Sequence, residues 1–245
     1  HVFDGLEEGA ANLMAVLEGA RIRHNGLHER GTFAPLSLLP QREPPVYLLT
    51  GSPMSQIGSG PRIVTLSYPQ LLEAVRTLRA REPEACIILY SHDGNEGFSE
   101  ASDRQRLWAD WFAAAGADII LFAHSHCYGG FETLEASPRK TFVAWGLGNF
   151  LFGGNRGWRS RSDVRLLSIR LDMATGGKSA CWLYGKTKNW QFSLYRMDES
   201  VLRQVQDLGA RAAAIVGQPS VEGNEQEKAD EGFGLGSLFL FWKNL

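Results

Sequence analysis

CIILYSHDG, residues 86–94, stays apolar from Cys86 to Tyr90 and then turns polar at Ser91, His92 and Asp93. There is no alternation of apolar and polar positions, and Gly94 closes the run. This is the pattern of a strand buried on both faces, as in a parallel sheet. A second stretch of the same kind, DIILFAHSH, follows at 118–126. Between the two, Ser102 and Gln105 are spaced as a capping box ahead of RQRLWADWFAAAG, and Gly116 is placed to close that helix. Strand, helix and strand over 86–123 predict a right-handed crossover with parallel strands. Parallel strands end on one edge of the sheet, where ligands bind in open α/β folds. His92, His124 and His126 therefore converge on one edge.

Working outward, YPQLLEAVRTLRARE (68–82) reads as a helix with Leu71, Leu72, Val75 and Leu78 on one face. PVYLLTG (45–51) reads as a strand. Near the start, Asp4 and Glu7 are spaced as a cap for a helix that ends at Gly19. Downstream, strand-like runs at 131–135, 141–146, 164–172, 180–185 and 190–196 are separated by Gly-rich turns, which suggests antiparallel pairing. Residues 199–216 read as a helix, 218–235 as a polar Gly-rich loop and 238–242 (LFLFW) as a terminal strand.

The chain has 245 residues, 44% hydrophobic and 21% charged, which is the balance of a folded protein with a real core. One domain over 1–245 is expected. Net charge is −2, which gives no electrostatic case for nucleic acid or an anionic membrane. Three cysteines at unpatterned spacing argue against a disulfide framework. No signal-peptide pattern is visible, and no apolar run approaches the ~20 residues of a membrane span. The chain opens on His1, so upstream sequence is expected to be missing.

A lone histidine at a strand end is ordinarily a hydrogen-bonded surface residue. Two such ends in one crossover favour a metal ion, because neutral imidazole is a common nitrogen ligand for Zn, Fe and Mn. Asp93 and Glu96 are near enough in sequence to orient the rings. Trp108 and Trp111 read as packing on a helix. Cys127 is expected to point away from the histidine pair.

These blocks resemble the CapA family of capsule-synthesis proteins, also called poly-gamma-glutamate synthesis accessory proteins, a branch of the calcineurin-like metallophosphoesterase superfamily. The resemblance covers about residues 1–170. HVFDGLEEG (1–9) resembles the family's Asn-Asn-His block. SHDGNEG (91–97) resembles its His-Trp-Gly-x-Glu block. SDRQRLWADWFAAAGADIILFAHSH (102–126) resembles its helix, strand and His-Pro-His. WGLGNFLF (145–152) resembles its Ser-Leu-Gly-Asn-Phe block.

The resemblance implies an α-β-β-α sandwich of calcineurin-like type, here lacking its first strands. It implies metal ligation by His92, His124 and His126, with two divalent ions (Mn, Fe or Zn) in the full-length protein. It implies that His1 protonates the leaving oxygen, and it lifts Glu96 to a catalytic candidate. Asn149 is a candidate wall of the substrate site. Arg159, in the Gly-rich loop with Arg156 and Arg161, is a candidate grip on an anionic substrate, although a solvated loop is the simpler reading.

The family's upstream Asp-x-His and bridging Asp blocks are absent, as is the Asn before His1. Asp93, Gly97 and Ser125 stand where Trp, Tyr and Pro are usual. The implied function is a metal-dependent phosphoester-type hydrolase in the formation or export of an anionic surface polymer. The alternative is a non-catalytic accessory factor for that assembly. Expected partners are an anionic polymer or phosphoester substrate and capsule-synthesis membrane proteins, with association at the cell envelope.

Overall fold

A computed structural model describes residues 6–25, 28–29, 35–38, 43–53, 62–63, 66–136, 139–149, 163–172, 178–188 and 191–194. The chain divides into two compact units, His1–Gly148 and Asn149–Leu245.

The first unit contains α1 (Leu6–Gly19), β1 (His28–Glu29), β2 (Leu36–Ser37), β3 (Val46–Ser52), β4 (Arg62–Ile63) and β5 (Leu66–Ser67). It continues with α2 (Tyr68–Arg81), β6 (Cys86–Asp93), α3 (Asp103–Ala115), β7 (Ile119–His124), β8 (Phe131–Ala136) and β9 (Arg139–Ala144). Its main sheet runs β2-β3-β6-β7-β9-β8, with β5 alongside the end of β3. The four central strands β3, β6, β7 and β9 are mutually parallel, and β2 and β8 are antiparallel at the two sides. The fold is thus mixed α/β, with a mostly parallel central sheet flanked by helices.

The central crossover forms as its residues dictate. At the start of α3, Ser102 Oγ accepts from the Gln105 amide at 3.2 Å, and Gln105 Oε1 accepts from the Ser102 amide at 2.9 Å. At its end Gly116 takes φ +104, a left-handed cap that a side chain would strain. The helix buries Ala109, Phe112 and Ala113. Helix α2 buries Tyr68, Leu71, Val75 and Leu78, a stripe at helical spacing. These residues share one core with Leu49, Ile87, Leu89, Ile120 and Phe122 from the sheet. Cys86, Ile87, Ile88 and Leu89 are all buried, which accounts for the unbroken apolar run of β6. Trp108 packs on Tyr68 and Phe112, with ring centroids 5.0 and 5.6 Å away. Trp111 does not follow it inward and stands 46% exposed.

The antiparallel expectation for 131–146 holds for β8 with β9, but β9 also pairs parallel with β7. That second pairing makes it a central strand. The second unit contains β10 (Asp163–Leu171), β11 (Lys178–Lys188) and β12 (Gln191–Leu194), an antiparallel meander in that order. Val164, Leu166 and Leu183 form its small core. The expected helix at 199–216, loop at 218–235 and strand at 238–242 lie outside the described residues. Among the described residues no helix is long and apolar enough to cross a membrane.

Candidate functional site

Strands β6 and β7 end side by side. His92 pairs in register with Ala123, and Asp93 with His124. Side chains alternate along a strand, so His92 and Asp93 belong to opposite faces. Asp93 lies on the face that carries α2 and α3. Tyr68 Oη donates to its Oδ2 at 2.8 Å, Arg104 Nε donates to Oδ2 at 3.2 Å, and the Gly94 amide donates to Oδ1 at 2.7 Å. Arg104 Nη2 adds an ion pair to Oδ1. The Asp93 side chain is fully buried, and four donors satisfy it. Burial pushes the Tyr68 phenol far above its usual range, although its bond to Ser91 lowers it; Tyr68 therefore stays a donor. Asp93 does not orient His92, contrary to the expectation from sequence proximity: its carboxylate is turned into the helix layer.

By alternation His124 belongs on the face of Asp93. Its backbone breaks the pattern: φ is +107, a conformation that non-glycine residues rarely adopt. The His124 ring instead lies 4.6 Å from the His92 ring, centroid to centroid. His126 is also left-handed, with φ +62, and its ring lies 6.4 Å from that of His124. The three imidazoles therefore gather at the carboxyl edge of the sheet, His92 from a regular strand and His124 and His126 through positive-φ backbone. Glu96, half-exposed in the loop after β6, brings Oε1 to 3.8 Å from His124 Nε2. That loop is tied to the histidine turn by the Gly97 amide, which donates to the Ser125 carbonyl at 2.9 Å.

Burial lowers the His92 pKa, and the neighbouring His124 and His126 imidazoles lower it further. The neutral ring is the form that binds metal. The donor chemistry fits a borderline divalent ion in kind. Among the described residues, however, no group of three or more His, Cys, Asp and Glu side chains surrounds a common point.

His1 and Arg159 lie outside the described residues. Asn149 is half-buried in irregular backbone at the start of the second unit. Sequence reasoning noted Ser125 only as a replacement for Pro; it is only 4% exposed between the two histidines. Its signal was there in the small residue at the centre of His-Ser-His and in the glycines at 94 and 146.

The family described as "Bacterial capsule synthesis protein PGA_cap" matches residues 1–154. "PGA biosynthesis protein CapA" of Bacillus subtilis (strain 168) is 33% identical over 92 residues, 38% of this chain and 23% of that protein. "Capsule biosynthesis protein CapA" of Bacillus anthracis is 29% identical over 97 residues, 38% of this chain and 22% of that protein. The match thus spans less than a quarter of either relative's length. Among solved structures, the NAD nucleotidase NadN of Haemophilus influenzae aligns over 98% of this chain and 48% of its own, at 12% identity and a TM-score of 0.44. That likeness is too weak to carry an argument about function.

Proposed function

The chain belongs to the bacterial capsule synthesis protein family PGA_cap, and from that premise we propose that it serves capsule polymer formation or export as a metal-dependent hydrolase of phosphoester-type bonds. The observation that carries this reading is the approach of the His92 and His124 rings to 4.6 Å, from two strands and across the normal alternation. Backbone strain of this kind persists where surrounding structure enforces it, and it clusters at functional sites.

On this reading His92, His124 and His126 would hold divalent metal, of Mn, Fe or Zn type. Bound there, the ion supplies Lewis acidity toward a phosphoryl oxygen. The chain's own residues do the rest. The half-buried His92 ring, its pKa lowered by burial and by the neighbouring imidazoles, would offer a lone pair without first losing a proton. Glu96, with Oε1 3.8 Å from His124 Nε2 and open to solvent, would orient that ring or take a proton from an approaching nucleophile. His1 keeps its proposed part as proton donor to the leaving oxygen, from the family resemblance, and Asn149 and Arg159 are kept as proposed substrate contacts, Arg159 from its place in the Gly-rich loop alone. The substrate would be an anionic polymer or a phosphoester precursor of one, handled at the cell envelope with membrane proteins of capsule synthesis.

A second reading keeps the fold and the histidines but not the hydrolysis, leaving an accessory factor that binds metal or polymer. It is favoured by the fate of Asp93, the carboxylate nearest His92 in sequence, which is turned away into the helix layer.

The test is metal content and hydrolysis of a generic phosphodiester such as bis(4-nitrophenyl) phosphate, in this chain and in a longer form with upstream sequence. The hydrolase reading expects bound metal and turnover that His92→Ala and His124→Ala each reduce. Metal without turnover in both forms would leave the accessory reading. No metal in either form would overturn the metal assignment.

A further inference from the structure

We infer that Ser125 is a positioning residue, the wedge that holds His124 and His126 in left-handed backbone and so brings the His124 ring onto His92. This rests on the reading of the histidines as a ligand set.

The serine is buried, and both of its functional ends are tied. Its Oγ donates to the Cys127 carbonyl at 3.2 Å and accepts from the Cys127 amide at 3.3 Å, closing the turn over His126. Its carbonyl accepts from the Gly97 amide at 2.9 Å, anchoring the turn to the loop that carries Glu96. The space around it is walled by glycine. A Cβ on Gly94 would stand 3.2 Å from the Ser125 Cβ, and one on Gly146 would stand 3.2 Å from its Oγ. Gly94 follows β6 and Gly146 follows β9, so the wedge sits between two strand ends.

The niche takes a serine and little more. A larger side chain would press on backbone at both walls, and a smaller one would release the staple to Cys127. Without the staple, His124 and His126 would be free to return to negative φ, which L-residues prefer. The His124 side chain would then rejoin the alternation and move towards the face of Asp93. Residues that orient ligands in this way typically affect metal affinity by about 10- to 100-fold.

The experiment compares wild type, Ser125→Ala and Ser125→Val by apo crystal structure, thermal melting and titration with Co2+ read by its visible absorption. Ser125→Ala is expected to melt close to wild type, to show a His92–His124 ring separation greater than 4.6 Å, and to bind Co2+ about 10- to 100-fold more weakly with an altered spectrum. Ser125→Val is expected to be less stable as well. An apo Ser125→Ala structure that keeps both histidines left-handed and the rings in place would overturn the inference. So would unchanged Co2+ affinity and spectrum in a wild type that binds the ion. A wild type that does not bind Co2+ would instead count against the ligand-set reading, and the apo structure would still decide the role of Ser125.

Discussion

Asp93 and His124 are partners in register across β6 and β7, yet their side chains serve different faces of the sheet. Asp93 keeps to the alternation and is locked to Tyr68 and Arg104 beneath the helices. His124 leaves it through φ +107 and meets His92. The two strand ends thus separate a structural carboxylate from a cluster of imidazoles, with one backbone dihedral as the divider.

The strain at His124 can be tested by giving it up. Glycine adopts a φ of +107 without penalty, so His124→Gly removes a local cost of about 1–3 kcal/mol. Glycine's extra freedom in the unfolded chain offsets roughly 0.5–1 kcal/mol of that gain. The net expectation is a stabilisation of about 1 kcal/mol, or roughly 2–4 °C in Tm for a chain of this size. Metal binding is expected to fall in the same variant. Differential scanning calorimetry without added metal, beside a Zn2+ titration, checks both halves. A lower apo Tm would show that the His124 ring contributes more to the fold than its backbone costs.

The crossover from β6 to β7 was legible because its signals are local. The apolar runs, the Ser102–Gln105 spacing and Gly116 each act within a few residues, and topology alone brings His92, His124 and His126 to one edge of the sheet, though not their rings to one face. The partners of Asp93 were not legible. Tyr68 and Arg104 stand 25 and 11 residues away in sequence, and only packing brings them in. The face that His124 occupies was hidden for another reason. Alternation gives the wrong side, and the dihedral that corrects it depends on the fit of Ser125 between glycines. Strand β9 was half legible: its turn to β8 is local, whereas its parallel pairing with β7 is not.

Asp93→Asn should weaken the fold. The amide presents N–H groups where Tyr68, Arg104 and Gly94 already donate, so at least one buried donor loses its acceptor. Charged hydrogen bonds of this kind contribute about 1.5–3 kcal/mol each. Arg104 is 52% exposed and can turn back to water, which discounts its share. A loss of about 2 kcal/mol in urea unfolding is expected. A change under about 0.5 kcal/mol would place Asp93 among ordinary surface residues and contradict the network.

Gly146→Ala should disturb the histidine turn from the side of β9. The added methyl would lie 2.7 Å from the Cys127 carbonyl oxygen and 3.0 Å from the Gly129 amide nitrogen. Both obstacles are backbone, and Gly129 is itself hydrogen-bonded to Gly146 at 2.9 Å. Overpacking that backbone must absorb typically costs about 1–3 kcal/mol. Because the shifted atoms belong to the turn after His126, metal affinity is expected to fall together with Tm. An alanine variant that melts and binds metal as wild type does would mean that the turn yields freely.

Arg79→Ala supplies the contrast, because it acts at the opposite edge of the sheet. Arg79 Nη2 donates to the Gly116 carbonyl at 2.7 Å and pairs with Asp118 Oδ2 at 2.6 Å, while Nη1 donates to the Ala85 carbonyl at 2.7 Å. The guanidinium therefore ties the end of α2 to the end of α3 and to the starts of β6 and β7. Its side chain is 14% exposed and that of Asp118 is 8% exposed, so truncation leaves a nearly buried carboxylate with less compensation. Asp118 retains the Ile87 amide at 2.9 Å and an Arg139 contact at 3.5 Å, which limits the damage. The expected loss is about 3 kcal/mol of stability, with metal affinity unchanged wherever the variant remains folded. Equal loss of metal binding in Arg79→Ala and Ser125→Ala would mean that the edge carrying the histidines has no special hold on the ion. A fall confined to Ser125→Ala would tie metal binding to that edge.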